Sequence, residues 1–534
     1  MTDGGDPAGA GADPAGRRTG TGDAGAWLGG AGAGPAIIDR EGPHGYQELR
    51  EASARMARRL LATSGATDLE GARVAFHVSP GVEYVATLVG VWRAGGIAVP
   101  LCLSHPEPEL AYVLDDTRAT IVVAGAERRE LLERLAEERD AAFVSSDCTR
   151  GQSEVLPGTS LPDADRRRAA LILYTSGTTG RPKGVVLSHR NLDATVDALV
   201  DAWGWTTEDR IVHVLPLHHT HGIVNALLCA LRVGAAVEML PAFDAGAVWD
   251  RFKDESVTLF MAVPTVYNRL IADWEAAAPA ERERRSAGAR GLRLMVSGSA
   301  ALPVPVLERW REITGQTLLE RYGMTEIGMA LSNPLHGERR PGHVGRPLPG
   351  VEIRLLDDEG REVEEGEPGE IHVRGPAVFE RYWERPEETE AAFRDGWFRT
   401  GDLAVVEDGA YRILGRQSVD IIKTGGYKVS ALEIENALGG HPDIRECAVV
   451  GVADPDWGEA LCAALVARRE IPRDELRDWG RERLAPYKLP RRVLTVDELP
   501  KNAVGKVTKP AVRTLFEAAG RDDANTDPNP EETP

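Results

Sequence analysis

Strand-like and helix-like segments alternate along this chain, and their order limits the folds open to it. Val74–Val78 is an apolar run typical of a buried strand. The next apolar residues recur at helical spacing, at Val82, Val85, Val89 and Trp92. Gly95-Gly96 then ends the helix before a second apolar run, Ile97–Val99. Strand, helix and strand in this order predict a βαβ unit, and therefore an α/β fold.

Later segments continue this alternation. Further buried strands are predicted by the apolar runs Ala169–Leu173, Val257–Val263, Leu294–Val296 and Gln316–Leu319. Another amphipathic helix is predicted by the spacing of Leu192, Val196, Leu199 and Trp203. Ligands of open α/β sheets bind beyond the carboxyl ends of the strands. We therefore expect three polar segments to meet at one site: His218–Gly222, Ser297–Ala301 and Tyr322–Glu326.

A loop rich in glycine and hydroxyl residues follows the run Ala169–Leu173. The stretch Tyr174–Gly184 contains three glycines, four Ser or Thr hydroxyls, Arg181 and Lys183. Glycines let a backbone approach a phosphate closely, and free N–H groups and hydroxyls can surround its oxygens. Lys and Arg add positive charge. The loop therefore predicts binding of a nucleoside triphosphate.

Two alternatives exist for this loop. The first is the Walker loop, G-x-x-x-x-G-K-[ST], but here Pro182 precedes the Lys and Gly184 follows it where Ser or Thr should hold Mg²⁺. The second is a surface turn that happens to be rich in Gly and Thr. Eleven residues of this chemistry behind a buried strand favour phosphate binding over the surface turn.

Length and charge exclude several classes of protein. A chain of 534 residues is too long for one ordinary core, so two or more domains are expected. The net charge of −20 argues against a general binder of nucleic acid or of anionic membranes, but it allows a local basic pocket for ATP. No apolar run approaches the roughly 20 residues that a membrane span needs.

Cysteine usage and the two ends complete the outline. The five cysteines are scattered without CxxC spacing, which predicts reduced thiols in a cytoplasmic protein and neither a disulfide framework nor a zinc site. Residues 1–35 contain mainly Gly, Ala, Asp and Pro with no signal-peptide core, and residues 518–534 are polar and acidic. Both ends are predicted to be disordered tails.

Four motifs in order carry a resemblance to a known family. Thr175–Gly184, Tyr322–Glu326, Tyr411–Arg416 and Pro500–Lys506 resemble the ordered motifs of the acyl-adenylate-forming (AMP-binding) superfamily, which includes acyl-CoA synthetases, peptide-synthetase adenylation domains and luciferases. The resemblance runs from about Gly42 to Leu515. It implies a large N-terminal domain of mixed sheets flanked by helices (36–415), a hinge (416–420) and a small mobile α+β lid (421–517).

The resemblance also implies roles in an ATP site. Tyr322 would lie against adenine, Asp402 would accept the ribose hydroxyls, and Arg416 would add a ribose or phosphate contact. Thr325 would bond the α-phosphate, and Glu326 would hold Mg²⁺ together with Thr175. The remaining ATP contacts would come from Ser176, Gly177, Thr178, Thr179, Lys183 and Ser299. Taken alone, a Thr-Glu pair could equally begin a helix, and Gly401-Asp402 could be a plain turn.

The lid would supply one group to each of two half-reactions. Lys506 stands where the family places its catalytic lysine, whose ammonium stabilises charge that develops during carboxylate attack on the α-phosphate. The alternative is a solvated surface lysine. Gly425 and Gly426 resemble the loop that rotates in for the second step, in which the thiol of coenzyme A attacks the acyl-adenylate. The family usually has Asp or Lys at the hinge pivot, and Gln417-Ser418-Val419 leaves that residue unassigned.

The predicted acyl pocket is polar. His219 and Thr220 stand where the family forms the pocket wall, with Met324 opposite, which favours a short polar acid over a fatty acid. Val296–Pro303, Glu320–Glu326 and the His-Thr-His-Gly run resemble the malonyl-CoA synthetase branch, which also accepts methylmalonate. A second carboxylate needs a cation, because a buried unpaired charge costs several kcal/mol. The candidates for this cation are Arg293 and Arg269, with hydrogen bonds from Ser297 and Thr220.

Three other functions remain as alternatives. A CoA ligase for another short or aromatic acid is the nearest of them, and the polar wall counts against it. A peptide-synthetase module would need a carrier domain, and the sequence after Lys506 predicts no such Ser-bearing helical domain. A non-catalytic nucleotide-binding protein would be expected to lack Lys506, Glu326 or Asp402, and all three are present. No obligatory protein partner is predicted.

Overall fold

The computed structural model describes residues 27–28, 34–150, 160–162, 165–175, 182–425, 427–454, 457–502 and 505–519. Within these ranges the strands form four sheets, three in the large N-terminal domain and one in the lid. Helices pack against them, so the α/β class and the division into a large and a small domain are confirmed. No described helix is both long and apolar enough to cross a lipid bilayer.

The N-terminal sheet carries the predicted βαβ unit. Its strands lie in the spatial order Arg381–Tyr382, Lys183–Ser188, Ala169–Thr175, Ile97–Pro100, Arg73–His77, Ile121–Ala124 and Ala142–Ser145. Arg73 pairs with Ile97 in parallel register, and helix Val82–Arg93 connects the two strands. Val74 and Val85 are fully buried, because this helix covers one face of a sheet whose strands are apolar.

The central sheet contains most of the strands that lead to the site. Its strands lie in the order Arg346–Pro347, Gly328–Ser332, Leu319–Met324, Leu294–Ser297, Leu259–Ala262, Arg210–His213, Ala236–Met239, Pro35–Asp39 and Gly42–Gly45. The run from Leu319–Met324 to Arg210–His213 is parallel. The carboxyl ends of these four strands therefore face the same edge of the sheet.

Two antiparallel-rich sheets complete the fold. The third sheet consists of Glu352–Leu356, Gly369–Arg374, Phe393–Arg394, Trp397–Glu407 and Ala410–Arg416. The lid sheet consists of Ile421–Thr424, Tyr427–Ser430, Ile444–Asp454, Gly458–Ala467 and Arg492–Thr495. The predicted hinge, 416–420, is the connection between these two sheets.

Helices cover the faces of the sheets. The α-helices of the large domain are Tyr46–Ser64, Val82–Arg93, Glu107–Thr117, Arg129–Glu137, His189–Ala202, Cys229–Val233, Ala245–Phe252, Pro264–Ala276, Pro279–Gly291, Val304–Thr314 and Pro386–Ala391. Those of the lid are Ala431–Gly439, Arg473–Arg481 and Lys509–Ala519. Short 3₁₀ turns occupy Ala126–Arg128, Ser146–Thr149 and Pro486–Lys488, and His221–Leu228 is a π-helix.

Side-chain contacts across the hinge dock the lid against the helices of the large domain. The backbone N–H of Val304 donates to Asn436 Oδ1 at 3.4 Å, and Arg468 lies 3.4 Å from Glu275. A Cβ placed on Gly505, one residue before Lys506, would lie 3.1 Å from the hydroxyl of Thr265. The loop that carries Lys506 therefore borders the beginning of helix Pro264–Ala276.

The structure differs from the sequence prediction at three places. Lys183-Gly184 begins strand Lys183–Ser188, so the predicted phosphate loop joins two antiparallel strands and Thr175 pairs with Lys183. The predicted strand Gln316–Leu319 instead begins at Leu319 and continues to Met324. Trp27, within the predicted tail 1–35, is buried, and its indole N–H donates to His189 at 3.3 Å.

Candidate active site

The three polar segments expected to meet do meet, at the carboxyl edge of the central sheet. His221 Nδ1 lies 3.2 Å from Ser299 Oγ, and the Thr220 hydroxyl donates to Thr325 at 3.4 Å. Gly222 allows this close packing, because a Cβ there would lie 2.4 Å from the carbonyl oxygen of Pro216. The sheet topology therefore concentrates hydroxyl and imidazole groups at one place.

One wall of the site consists of Tyr322, Asp402 and Arg416. The Tyr322 hydroxyl donates to Asp402 Oδ2 at 2.7 Å, and Arg416 Nε donates to Oδ1 at 3.0 Å. Burial raises the pKa of Tyr322 well above its usual value, and the neighbouring Asp402 carboxylate adds to this effect. Three residues predicted from separate motifs are thus linked in one network across two sheets.

Glu326 is a buried carboxylate near this wall. Its Oε1 accepts a hydrogen bond from the Tyr382 hydroxyl at 3.0 Å, and the residue is only 5% exposed. Burial raises the pKa of Glu326, while the charges of Arg416 and Lys183 act in the opposite direction. Within the described residues no cation pairs with it directly, so the carboxylate is placed to receive one from outside the chain.

Lys183 and Thr175 hold the two ends of the glycine-rich loop near Glu326. Lys183 Nζ lies 2.6 Å from Glu388 and 4.7 Å from the ring centre of Tyr382. Thr175 is the partner of Lys183 in the strand pair. The other predicted contacts of this loop lie outside the described residues: Ser176, Gly177, Thr178 and Thr179.

A second pocket wall contains buried polar groups that have no partner. Arg321 is 4% exposed, and its Nε and one terminal nitrogen make no hydrogen bond with any described residue. The Ser297 hydroxyl and His221 Nε2 are also buried, and neither makes a hydrogen bond with any described residue. Since buried donors are normally satisfied, this wall is arranged for a polar ligand.

Arg321 keeps its charge although it is buried. Burial lowers its pKa to about 10, so the guanidinium is protonated at neutral pH. The adjacent Glu320 accepts from the backbone N–H of Leu302 at 2.9 Å, and burial raises its pKa to about 8. Burial therefore favours the neutral form of Glu320, which offsets the charge of Arg321 less than an ionised carboxylate would. An anion would complete this arrangement.

Gly298 makes room for the guanidinium. A Cβ at this position would lie 2.3 Å from Arg321 Cζ and 2.5 Å from Nε. Gly298 directly follows strand Leu294–Ser297 and faces the neighbouring strand that carries Arg321. Any side chain at residue 298 would displace the guanidinium.

The two arginines predicted for the acyl pocket are elsewhere, and that prediction is wrong for both. Arg293 precedes strand Leu294–Ser297, at the amino end, and pairs with Asp209 at 2.6 and 2.7 Å. Arg269 is exposed on its helix and stacks over Phe243 at 4.6 Å. Another arginine, Arg321, is buried inside strand Leu319–Met324 and lies beside Gly298.

The remaining predicted pocket residues border the site. Thr220 is buried, and Met324 ends strand Leu319–Met324 and packs against the main core. The rings of His218 and His219 lie 4.1 Å apart, and burial lowers the pKa of His219 to about 4. His219 is therefore a neutral hydrogen-bonding group at pH 7.

The lid presents Lys506 and Gly425 on separate loops. Lys506 is exposed, and its backbone N–H donates to Asn502 Oδ1 at 2.9 Å. Gly425 lies in the turn of hairpin Ile421–Ser430 and has φ near 55°. Its N–H donates to the carbonyl oxygen of Trp457 at 3.0 Å. Gly426 lies outside the described residues.

Sequence interpretation missed two residues of this site, Arg321 and Tyr382. Arg321 directly precedes Tyr322 in a motif that the sequence interpretation used, but no role was given to it. Extending the predicted strand to Met324 would have revealed it, because a charged side chain inside a buried strand needs a reason. Tyr382 lies in a two-residue strand and carries no pattern of its own.

Comparisons with known proteins agree with this geometry. The family model "AMP-binding enzyme" matches residues 29–383, and "AMP-binding enzyme C-terminal domain" matches residues 433–506. The mitochondrial malonate–CoA ligase ACSF3 of Mus musculus is 49% identical over 508 residues, covering 89% of this chain and 87% of that protein.

Two solved structures are similar over most of the chain. The ATP-bound crystal structure of MatB from Rhodopseudomonas palustris has a TM-score of 0.84 at 36% identity, covering 93% of this chain and 99% of that chain. A malonyl-CoA ligase in a ternary product complex with methylmalonyl-CoA and AMP has a TM-score of 0.65 at 41% identity. That match covers 88% of this chain and 98% of the other.

Proposed function

The chain belongs to the AMP-binding enzymes, and on that premise we propose that it joins malonate to coenzyme A in an ATP-dependent reaction. The products of the first step are malonyl-AMP and pyrophosphate, and the second step releases malonyl-CoA and AMP. Methylmalonate is a second candidate substrate, because it carries the same two carboxylates as malonate and differs from it by one methyl group. The observation that carries the choice of acid is Arg321, a buried cation beside unpartnered donors.

Arg321 binds the carboxylate of malonate that does not react. The guanidinium presents several N–H donors to a planar carboxylate, and Ser297 and His221 lie on the same wall. An acid without a second carboxylate leaves these groups unsatisfied and buried, which is costly. The pocket therefore selects a short dicarboxylate against acids of similar size that carry one charge.

The nucleotide lies along the wall of Tyr322, Asp402 and Arg416. Asp402 accepts the ribose hydroxyls, Tyr322 packs against adenine, and Thr325 and Ser299 contact the α-phosphate. The loop between Thr175 and Lys183 holds the β- and γ-phosphates. The reacting carboxylate of malonate then faces the α-phosphorus, which it attacks as pyrophosphate leaves.

The oxygen ligands at this edge fit Mg²⁺. Glu326 supplies a buried carboxylate without an ion-pair partner among the described residues, and Thr175 supplies a hydroxyl, both of which are hard oxygen donors. The bound ion would neutralise charge on the phosphates. Lys506 supplies the protein's own positive charge for the same purpose, from the lid.

The choice of acid can be tested by the release of pyrophosphate. Purified protein is supplied with ATP, Mg²⁺ and one of malonate, methylmalonate, succinate, butyrate or benzoate, with and without coenzyme A. We expect malonate to give the highest kcat/KM and coenzyme A to increase turnover. Equal or better turnover with butyrate or benzoate would contradict the proposal. A cytoplasmic location stays a prediction, and the name of the Mus musculus relative places that protein in mitochondria.

Replacing Gly298 with Ala should weaken the binding of malonate selectively. The new Cβ would overlap the Arg321 guanidinium, which must then move away from the pocket. We expect the KM for malonate to rise about tenfold or more, since a displaced charge-assisted hydrogen bond is worth roughly 1.5–3 kcal/mol. The matched control is Gly291→Ala, where nothing lies within 4 Å of the added Cβ. An unchanged KM for malonate, or an equal rise in the KM for ATP, would count against this role of Arg321.

Replacing Asp402 with Asn should instead weaken the binding of ATP. The amide keeps the shape but loses the charge that Arg416 and Tyr322 now share. We expect the KM for ATP to rise roughly tenfold, with the KM for malonate within about twofold of the original. Steady-state kinetics with each substrate varied in turn gives both constants. A larger effect on malonate than on ATP would place Asp402 in a different subsite.

A further inference from the structure

Lys183 lies close to two carboxylates at the edge of the nucleotide site. Its Nζ is 2.6 Å from the carboxylate of Glu388 and 4.7 Å from the ring centre of Tyr382. The Tyr382 hydroxyl in turn donates to Glu326 Oε1 at 3.0 Å. Burial raises the pKa of Glu326, and the positive charge of Lys183 acts against this rise. One ammonium group therefore pairs with Glu388 and also influences the carboxylate inside the site.

The two carboxylates differ in their exposure to water. Glu326 is almost completely buried, whereas the side chain of Glu388 is 45% exposed and that of Lys183 is 28% exposed. Exposed ion pairs contribute little free energy, because water competes for both charges and both side chains lose rotamer freedom. A stronger anion can therefore break the pair between Lys183 and Glu388 at low cost.

Other contacts hold Glu388 in place without the lysine. Arg385, which precedes helix Pro386–Ala391, lies 3.8 Å from the Glu388 carboxylate and 2.6 Å from that of Asp116. Asp116 also accepts a hydrogen bond from the Tyr174 hydroxyl at 2.6 Å. Tyr174 belongs to the same strand pair as the lysine. The position of Glu388 relative to this strand pair is thus fixed by Arg385 and Asp116.

The terminal phosphates of ATP are stronger partners for an ammonium group than one exposed carboxylate. The β- and γ-phosphates together offer several charged oxygens, and each can accept a charge-assisted hydrogen bond. A lysine carries three donors on a flexible four-carbon stem, so it can change partners without movement of the backbone. Lys183 is therefore suited to leave Glu388 when a nucleotide enters.

We propose that Glu388 is a positioning residue that competes with the terminal phosphates of ATP for Lys183. The inference rests on the proposed function, in which the β- and γ-phosphates lie near Lys183. Without nucleotide, Glu388 holds the ammonium group and keeps it from pairing with Glu326, the carboxylate that fits Mg²⁺. With ATP bound, the phosphates take the lysine and Glu388 turns to solvent. After the first step, Glu388 takes the lysine back, which favours the release of pyrophosphate.

Replacing Glu388 with Gln should strengthen the binding of ATP and of pyrophosphate. The amide keeps the shape of the side chain and removes the competing charge, so both dissociation constants should fall about two- to fivefold at low ionic strength. AMP has no β- or γ-phosphate, and its dissociation constant should change by less than about 1.5-fold. The gain should largely disappear in about 1 M salt, where the screening length is about 3 Å. Isothermal titration calorimetry with Mg²⁺ measures all three ligands without acid or coenzyme A.

Two further variants show whether Glu388 acts through Lys183. Glu387→Gln removes the same charge from the neighbouring exposed residue, and it should leave all three dissociation constants within about 1.5-fold. Lys183→Met should weaken the binding of ATP. Adding Glu388→Gln to Lys183→Met should then cause no further change, because the group that is competed for is absent.

Three outcomes would overturn the inference. The first is unchanged or weaker binding of ATP by Glu388→Gln. The second is an equal gain for AMP, and the third is an equal gain in the Lys183→Met background, since both would indicate a general effect of charge. Damage to the fold would weaken binding, so it cannot produce a selective gain. The proposed choice of acid fails separately, because it is tested by malonate-dependent release of pyrophosphate and these titrations contain no acid.

Discussion

Replacing Arg321 with Met is expected to lower kcat/KM for malonate by roughly 10²- to 10⁴-fold, because a charged carboxylate would then be buried without a partner. Methionine matches the aliphatic stem of arginine and carries no charge, so the stem's packing is kept while the guanidinium is removed. The same variant should use butyrate, a monocarboxylate of similar size, as well as or better than the original protein. The measurement is malonate- or butyrate-dependent pyrophosphate release across a range of acid concentrations.

Two comparisons make this result specific. Arg269→Met removes an exposed arginine that stacks on Phe243, and we expect it to leave kcat/KM for malonate within about twofold. Thermal unfolding of Arg321→Met shows whether the fold survives the change. An equal loss with malonate and butyrate in a folded variant would contradict the assignment of Arg321 to the second carboxylate.

Replacing Lys506 with Ala should nearly abolish the first step and spare the second. Positive groups aimed at charge that develops in a transition state are worth roughly 10²- to 10³-fold in rate. Adenylation is measured as malonate-dependent exchange of pyrophosphate into ATP. Thioester formation is measured separately, from chemically prepared malonyl-AMP and coenzyme A, and should stay within about threefold of the original rate.

A neighbouring lysine provides the control for this experiment. Lys501 lies in the same loop and pairs with Glu446 at 2.7 Å near the surface. Surface ion pairs contribute only about 0–1 kcal/mol, so Lys501→Ala should change adenylation less than about fivefold. If Lys506→Ala slowed both steps equally, the lysine would be acting on the structure of the lid and not on the transition state.

The order of the motifs predicted the nucleotide site, because each motif contains residues that contribute to it. Tyr322, Asp402, Arg416 and Glu326 come from three motifs that are distant in sequence, and the structure links the first three by hydrogen bonds. This part of the prediction rests on the resemblance of the motifs to a known family, because Asp402 and Arg416 lie in an antiparallel sheet and the rule for parallel strands does not place them.

The acyl pocket was harder to predict because it depends on strand ends and on packing. Arg293 was chosen for its closeness in sequence to Ser297, yet the residue before a parallel strand lies at the amino edge, opposite to ligands. Arg321 escaped notice because the predicted strand ended at Leu319. Arg321 also needs the space that Gly298 leaves, and because Gly298 follows the neighbouring strand Leu294–Ser297, the sequence around Arg321 gives no sign of that space.

The burial of Trp27 illustrates a different limit of prediction from the sequence. A segment of Gly, Ala, Asp and Pro has the composition of a disordered tail, and Trp27 is an isolated aromatic residue within it. Its indole packs beside Trp92 at 5.6 Å and below Arg232 at 4.7 Å. A single large side chain can fix a short segment through tertiary contacts that no hydrophobic periodicity in the sequence predicts.

The separation of Lys506 from the nucleotide wall has a consequence for the order of events on the ribosome. Tyr322, Asp402 and Arg416 are synthesised 90 to 184 residues before Lys506, and domains fold from the N-terminus as translation proceeds at about 5–20 residues per second. An unfinished polypeptide can therefore assemble the nucleotide wall before it has the lysine that activates the acid. Nascent chains would not produce the reactive mixed anhydride, which water would destroy without a lid to enclose it. Placing the activating charge last in the chain couples the onset of chemistry to completion of the protein.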